Sequence, residues 1–278
     1  MFGILLAGVG SVFQEIGDSV GKKQISSGAA SYYTFGFLNF LFGTIFLIIV
    51  GFVRHDFIFS LASLPTFIPR VLLEIAQAQL SIWAIVKADR STFGTIRTLT
   101  IPLLLGVDIV LGYTLHPQQL LGMSIIFVVI FFLLLSEGFK AKGLLLCLLT
   151  AVNAVATLSL FKYNITHFNS VESEEVIILL VLMLYFFLMA TLVVRENPLR
   201  FLRRPAFLLQ SGSSGAAVCV SSFAYAFAPA SIIVTAVRAF GVLFAILSGK
   251  FYFKEKKFLL KLFLFTGILV GLVLVLLT

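Results

Sequence analysis

Long apolar segments separated by short charged connections are the feature that most limits the folds open to this chain. A membrane-spanning helix needs about 20 mostly apolar residues to cross a hydrocarbon core of about 30 Å, and ten segments meet that requirement. In the first half they are Phe2–Val20, Tyr32–Val53, Thr66–Val86, Ser91–Leu111 and Gln118–Ser136. In the second half they are Gly143–Phe161, Glu175–Val194, Ala206–Phe227, Ser231–Phe251 and Phe258–Leu277.

The composition agrees with a lipid environment, because 60% of the residues are hydrophobic and the mean hydropathy is +1.12. Backbone amides have no water partners in hydrocarbon, so the segments are predicted to be helices. A β-barrel would need alternating polar and apolar residues, and the apolar runs do not alternate. The connections are too short for a soluble domain. The predicted fold class is therefore an all-α integral membrane protein with ten transmembrane helices.

The two halves of the sequence resemble each other. GILLAGVGSVFQEIGDSVGKKQIS, beginning at Gly3, aligns with GLLLCLLTAVNAVATLSLFKYNIT, beginning at Gly143, and this pairs Lys22 with Lys162. We therefore predict two five-helix repeats, at residues 1–138 and 139–278. Five is odd, so the second repeat enters the membrane from the opposite face. Inverted repeats of this kind recur in secondary transporters, where they supply two gates for alternating access.

The basic residues are sorted between the connections, which predicts the topology. The odd-numbered connections carry fifteen of them, whereas the even-numbered ones carry only Arg54, Arg70 and Lys162. Cytoplasmic loops hold the excess of Lys and Arg, so both termini are predicted on the non-cytoplasmic side of a cytoplasmic membrane. The net charge of +8 is thus a topology signal, and nucleic acid is not an expected partner.

Short motifs along the chain are similar to those of the drug/metabolite transporter superfamily, in its EamA-like branch. The residues that carry the resemblance are Gly10-Ser11-Val12-Phe13, Gly122, Ala228-Pro229-Ala230, Glu255 and Gly271. The chain departs from the family pattern at Val9, Tyr113 and Leu264. The resemblance implies a central cavity lined by the first four helices of each repeat, and export of an amino acid or related metabolite.

Arg97 and Arg238 lie inside predicted helices 4 and 9, at equivalent depths from opposite faces. A charge at the centre of a spanning helix costs about 2.5 to 3.5 kcal/mol, so such residues usually face a cavity or a partner. Their guanidinium groups could bind a carboxylate or phosphate of the solute. The alternative is an internal ion pair, of Arg97 with Glu15 and of Arg238 with Glu74, or extension of the side chains to the interface.

Other polar side chains complete the predicted substrate site. They are Gln77, Gln79, Ser81, Trp83, Asn153 and Tyr225. Trp83 could equally anchor its helix at the interface, and single Asn residues more often bridge membrane helices than bind ligands. Glu15 and Glu74 are the candidate proton carriers, since burial and a nearby arginine act in opposite directions on a carboxyl group.

A secondary transporter of a small metabolite is the leading functional prediction, with export and proton coupling as its expected form. The alternatives are an exchanger of phosphorylated sugars or nucleotide sugars, and a channel, receptor or scaffold without active transport. An enzyme is not expected, because the sequence has no HExxH motif and no phosphate-binding glycine loop. No cofactor or metal is predicted. A homodimer is possible through the small residues Gly267 and Gly271, which permit close helix approach.

Overall fold

The computed structural model describes residues 2–54, 57–110, 116–137, 142–224, 227 and 230–276. These residues form no strand, and 87% of the structure is helical, which confirms the all-α class. The helices are α1 (Phe2–Ser26), α2 (Tyr32–Arg54), α3 (Leu64–Lys87), α4 (Arg90–Arg97), α5 (Thr100–Val110), α6 (Pro117–Glu137), α7 (Leu144–His167), α8 (Val171–Leu188), α9 (Pro205–Ala224), α10 (Ala230–Phe251) and α11 (Phe258–Leu276).

Three helices are long and apolar enough to cross a membrane by length and composition. They are Tyr32–Val53, Leu144–His167 and Glu172–Val193, with mean hydropathies of 2.3, 2.2 and 3.0. Pro117–Leu133 and Phe258–Leu274 are shorter apolar helices. Large apolar side chains such as Val53, Leu259 and Phe263 point away from the protein interior. A surface of this kind is typical of a membrane protein.

Consecutive helices run between two ends of the bundle. Contacts between connections define a lysine-rich end, where the Nζ of Lys22 donates to the carbonyl of Ala88 and Glu255 accepts from the backbone N–H of Arg90. At the other end, the acidic end, Ser170 donates its backbone N–H to the carbonyl of Ile58 at 2.8 Å. The basic residues that the sequence sorts into odd-numbered connections therefore gather at one end of the described structure.

The fourth predicted segment, Ser91–Leu111, differs from the prediction because it is divided into α4 and α5. Pro102 has no N–H to donate to the carbonyl of Thr98, and its ring disfavours a continuous helix at that point. Thr98 instead donates its hydroxyl to the carbonyl of Thr95 at 2.7 Å, and Thr100 donates to that of Arg97 at 2.9 Å. Arg97 is consequently the last residue of a short helix.

Several helices extend past their apolar segments. Helix α1 continues beyond Val20 to Ser26, and α7 continues beyond Phe161 to His167. Hydropathy marks only the apolar part of a helix, and polar ends such as Lys22–Ser26 keep their backbone hydrogen bonds. The last turn of the predicted seventh helix is a π-helical segment, Met189–Val193.

Helices α1 and α9 pack closely together, and small residues face each other between them. A Cβ on Gly17 would lie 2.5 Å from the Oγ of Ser214, and one on Gly10 would lie 2.4 Å from the Oγ of Ser221. Gly215 of the same α9 stretch is equally close to Phe42 of α2. The small residues 211–215 therefore let α9 approach two helices of the first half.

Several helices of the first half pack against helices of the second half, and these pairs recur when the two halves are interchanged. Helix α1 packs on α9, and α7, at the same place in the second half, packs on α3. Helix α1 also packs on α10, while α7 packs on α4 and α5. Helix α2 packs on α9, and α8 packs on α3. Three further pairs between the halves are α2 with α8, α4 with α10 and α6 with α11.

Candidate functional site: two ionic junctions at opposite ends of the bundle

The first buried ionic group, which we name the Arg90 junction, consists of Arg90, Glu15 and Asp18. The Nε of Arg90 donates to Glu15 at 3.0 Å, and its Nη2 donates to Glu15 at 2.7 Å and to Asp18 at 3.0 Å. The Arg90 side chain is only 2% exposed. Two carboxylates on one face of α1, three residues apart, thus bind a guanidinium that α4 supplies from its first turn.

Hydroxyl groups and a second-half carboxylate complete the Arg90 junction. Ser19 donates to Glu15 at 2.7 Å, and Ser248 of α10 donates to the same oxygen. Glu255 accepts from the backbone N–H of Arg90 and from the hydroxyl of Ser91. The junction therefore joins α1 and α4 of the first half to α10 and the α10–α11 connection of the second.

The second group, the Arg70 junction, lies at the acidic end and consists of Arg70, Glu74, Glu174 and Glu175. Arg70 is 2% exposed, and its Nη1 and Nη2 lie 2.7 Å from Glu174 and Glu175 respectively. Glu74 is more distant, at 3.7 Å from Nη2. The guanidinium also lies 4.5 Å from the ring of Phe161. Three carboxylates thus surround one arginine.

Asn164 positions the most buried of these carboxylates. Its amide donates to Glu174 at 2.7 Å, and the hydroxyl of Thr66 donates to the Asn164 carbonyl at 2.5 Å. Asn169 also donates to Glu174. Glu174 lies in the first turn of α8, where the helix dipole favours a negative charge. The Arg70 junction therefore links α3 of the first half to α7 and α8 of the second.

Each end also has a clasp between connections. At the acidic end, the backbone N–H of Ile58 donates to the Ser170 hydroxyl at 3.1 Å, and that of Ser60 donates to Asn169 at 2.8 Å. At the lysine-rich end, Glu196 accepts from the backbone N–H and the hydroxyl of Ser31, at 3.1 and 2.6 Å, and from the Thr34 hydroxyl at 2.6 Å. Partial burial disfavours the Glu196 carboxylate, but these bonds outweigh it and lower its pKa.

The two glutamates that the sequence suggested as ion-pair partners of Arg97 and Arg238 lie beside other arginines in the structure. Glu15 pairs with Arg90 and not with Arg97, and Glu74 lies beside Arg70. Similar depth in the membrane was the only basis for the suggested pairs. The arginines at the helix ends are closer, because α1 and α4 approach each other at the lysine-rich end and α3 meets α8 at the acidic end.

Arg97 remains a candidate for ligand binding by its environment. Its guanidinium lies 5.5 Å from the Phe93 ring, and its buried Nε has no hydrogen-bond partner among the described residues. A Cβ on Gly94 would lie 2.9 Å from Ala245, so α4 and α10 are in close contact one turn before Arg97. Arg238 is partly buried on α10.

The other predicted site residues divide between two neighbours of α3. The amide of Asn153 donates to Gln77 and to the carbonyl of Leu73, both at 2.9 Å, and Gln77 donates to Ser81 at 3.3 Å. This group bridges α3 and α7. Gln79 instead accepts from the hydroxyl of Tyr185 on α8 at 3.3 Å.

Two further predicted site residues lie away from this group or outside the structure. Trp83 lies 5.9 Å from the Nζ of Lys87 near the lysine-rich end. Tyr225 is outside the described residues.

Sequence reasoning missed Arg70 and Arg90 as buried functional groups, because both were counted with the connections for topology only, although Arg70 lies inside the predicted segment Thr66–Val86. The signal that could have found them is the excess of acidic residues facing the bundle, with Glu15 and Asp18 on one face of α1 and Glu172, Glu174 and Glu175 at the start of α8. Buried carboxylates require buried cations.

Within the described residues, no group of three or more His, Cys, Asp and Glu side chains could hold a metal ion. No protein-family model matches the chain, and no curated protein matches it either.

Proposed function

We propose that the chain is a secondary transporter of a small metabolite, with ten spans arranged as two inverted five-helix repeats in a cytoplasmic membrane. Helices α4 and α5 together form the fourth span. Both termini lie on the non-cytoplasmic side, and the lysine-rich end faces the cytoplasm, as the excess of basic residues there favours.

The packing of the helices supports the inverted repeat. In the proposed repeat, α1 corresponds to α7, α9 to α3, and α10 to α4 and α5 together. The α1–α9 pair then corresponds to α7–α3, and the α1–α10 pair corresponds to α7 with α4 and α5. All these contacts are present. The pairs α2–α8, α4–α10 and α6–α11 convert into themselves. This is the pattern that a two-fold axis in the membrane plane generates.

The observation that carries the proposal is the position of the two ionic junctions. Each ties the first half to the second, and they lie at opposite ends of the bundle. Alternating access needs a barrier at each end that can open while the other stays closed. Separation of the halves at one end would break only the junction of that end. A state with both junctions formed is closed at both ends.

Arg97 supports an anionic group on the solute. Its buried Nε has no hydrogen-bond partner within the part of the chain that the structure describes, so it offers a charge-assisted hydrogen bond to a carboxylate or a phosphate. Amino acids carry such a carboxylate, so export of an amino acid or related metabolite is the first candidate. Exchange of phosphorylated sugars or nucleotide sugars is the second, and the same Nε favours it.

Proton coupling is assigned to Glu74 rather than Glu15. Glu15 accepts hydrogen bonds from Arg90, Ser19 and Ser248, all of which stabilise its charged form. Glu74 is 3.7 Å from an arginine that already has closer contacts with two other glutamates. Crowding of like charges disfavours the carboxylate and favours proton uptake.

Transport into proteoliposomes tests the proposal. The purified protein is reconstituted and supplied with labelled amino acids and sugar phosphates, with and without a pH gradient. We expect accumulation above the external concentration, and loss of it in Arg97→Gln but not in the exposed control Arg200→Gln. Equilibration without accumulation would instead indicate a channel, and no flux of any solute would favour a receptor or scaffold.

Cross-linking at the acidic-end clasp tests alternating access directly. In a background without Cys147 and Cys219, the pair Ile58→Cys and Ser170→Cys is oxidised and transport is measured. We expect inhibition that a reductant reverses, with no effect of the oxidant on either single variant. Full transport by the cross-linked protein would contradict a gate at this end.

A further inference from the structure

A basic cavity of about 470 Å³ opens at the lysine-rich end, beside the connection from α10 to α11. Its lining residues are Lys22, Asp89, Phe253, Lys254, Glu255, Lys256, Lys257 and Lys261. Five lysines face two carboxylates, so the formal charge of the lining is +3. The transport proposal does not use this cavity.

The lysines of the cavity differ in how they are neutralised. Lys261 is 3% exposed and lies 3.3 Å from Glu255 and 3.7 Å from Asp89. Lys22 is buried and lies 5.0 Å from the ring of Phe253. Lys254 and Lys256 are exposed and contact no carboxylate among the described residues. Both carboxylates of the lining therefore pair with Lys261, and the charges of Lys254 and Lys256 are not paired with a carboxylate of the described residues.

The α10–α11 connection also holds its lysines in unfavourable positions, for two reasons. Lys254 and Lys257 have φ angles of 57° and 58°, a left-handed conformation that side chains with a Cβ rarely adopt. Strained backbone of this kind concentrates at ligand-binding segments. These lysines precede the N-terminus of α11, where the helix dipole makes cations unfavourable. The first turn of α11 has no acidic residue to balance them. An anion bound in the cavity would offset the unfavourable charge at this helix N-terminus.

A groove of about 330 Å³ lies between α1 and α10 at the same end of the bundle. Its lining residues are Val12, Glu15, Ile16, Ser19, Val20, Phe244, Ser248 and Tyr252. Tyr252 lines the groove and the next residue, Phe253, lines the cavity, so the chain passes directly from one lining to the other. Val12 lines the groove and is exposed on α1, and in the proposed membrane orientation the groove faces the acyl chains of the bilayer.

We propose that this combination binds an anionic phospholipid, with its phosphate headgroup in the basic cavity and one acyl chain in the groove between α1 and α10. The charge of the lining complements a phosphate, and basic pockets between membrane helices on the cytoplasmic side are suited to lipid headgroups. A free phosphate would use the cavity alone, whereas a lipid uses both spaces. The groove therefore favours the lipid.

Thermal unfolding of the full-length protein in detergent tests the assignment. The probes are phosphatidylglycerol, phosphatidylcholine with the same acyl chains, and inorganic phosphate. We expect phosphatidylglycerol to raise the melting temperature by roughly 3 °C or more, because a ligand of the folded state stabilises it. Phosphatidylcholine and inorganic phosphate should have little effect. Equal shifts from both lipids, or no shift from any probe, would overturn the proposal.

Two matched pairs of variants locate the site. Lys254→Gln with Lys256→Gln should weaken phosphatidylglycerol binding about tenfold or more, since each lysine contributes near an anionic surface. The control, Lys87→Gln with Lys250→Gln, removes the same charge from exposed positions at the same end and should retain binding.

The second pair tests the groove. Val12→Trp should fill it and abolish the lipid shift, while Val9→Trp, on the exposed surface of α1 but outside the groove, should not. A shift produced equally by inorganic phosphate and unaffected by Val12→Trp would assign the cavity to a free phosphate and exclude the lipid. Lipid binding that survives the Lys254 and Lys256 changes would exclude the cavity.

Discussion

The Arg90 and Arg70 junctions place the same residue type at opposite ends of the bundle, but they differ in charge balance. Arg90 faces the two carboxylates Glu15 and Asp18, which leaves a formal charge of −1. Arg70 faces three carboxylates, which leaves a formal charge of −2. The second junction therefore has the larger acidic surplus.

Two carboxylates of the Arg70 junction are also more exposed than those of the Arg90 junction. Glu15 and Asp18 are 11% and 4% exposed, while Glu74 and Glu175 are 20% and 32% exposed. A deeply buried ionic group resists titration, because neutralising one member leaves another charge without a partner. An acidic group with access to water can take up a proton at smaller cost. We therefore propose that the Arg70 junction takes up the proton, whereas the Arg90 junction stays ionised when it forms and breaks.

The largest expected effect is the loss of Arg90. Arg90→Met leaves Glu15 and Asp18 buried without a cation, so we expect a loss of about 3–5 kcal/mol in the free energy of unfolding. Thermal unfolding in detergent measures it, with Lys87→Gln as the exposed control. Adding Glu15→Gln and Asp18→Asn to Arg90→Met should recover part of the loss. A triple variant no more stable than Arg90→Met would show that charge imbalance is not the cause.

Arg70→Met should cost less, about 2–3 kcal/mol, since Glu74 and Glu175 can still be solvated and only the fully buried Glu174 loses an essential partner. The same unfolding measurement, made in parallel with Arg90→Met, gives the order directly. A loss equal to or larger than that of Arg90→Met would remove the distinction between the two junctions.

The clasp formed by Glu196 lies outside both junctions. The pH dependence of its contribution to stability provides a test of the clasp. The pKa of Glu196 is lower in the folded protein than in the unfolded chain, so its contribution is complete above the unfolded pKa and is lost as the pH falls through the folded pKa. Glu196→Gln should cost about 1 kcal/mol at pH 7, as removal of a helix cap does. The difference from the wild type should shrink as the pH falls below 4.5. A difference independent of pH would mean that charge is not involved.

The smallest effect on stability is expected for Glu74→Gln. Removing one of three carboxylates relieves repulsion, so the melting temperature should be unchanged or slightly higher. The pH dependence of transport should nevertheless be lost, if Glu74 carries the proton. Proteoliposome flux measured between pH 5.5 and 8 provides the check, with Glu175→Gln as the matched control at the same arginine. Unaltered pH dependence in Glu74→Gln would leave proton transfer to another group.

Much of the fold was predictable from single segments. The helical class follows from long apolar runs without alternation, and the gathering of Lys22, Arg90 and Glu255 at one end follows from the parity of their connections. These properties depend on local composition and on the direction of the chain, so no knowledge of distant contacts is needed.

Ion-pair partners were not predictable in this way. Glu15 and Arg90 are 75 residues apart, and Arg70 and Glu175 are 105 residues apart. Depth along a helix axis gives only one coordinate of a side chain, and that coordinate suggested Arg97 as the ion-pair partner of Glu15. Which arginine is near enough depends also on the neighbouring helix and on rotation about the axis, and these are set by packing.

The sequence by itself determined that this chain forms apolar helices and that basic residues gather at one end, because both properties follow from local composition and the order of the segments. Only the tertiary structure decided that Arg90 and Arg70 are buried, that α4 ends at Arg97 and that five lysines line one cavity. The physical reason is that burial of a charge depends on the partners that packing brings within hydrogen-bond distance, and those partners lie far away along the chain.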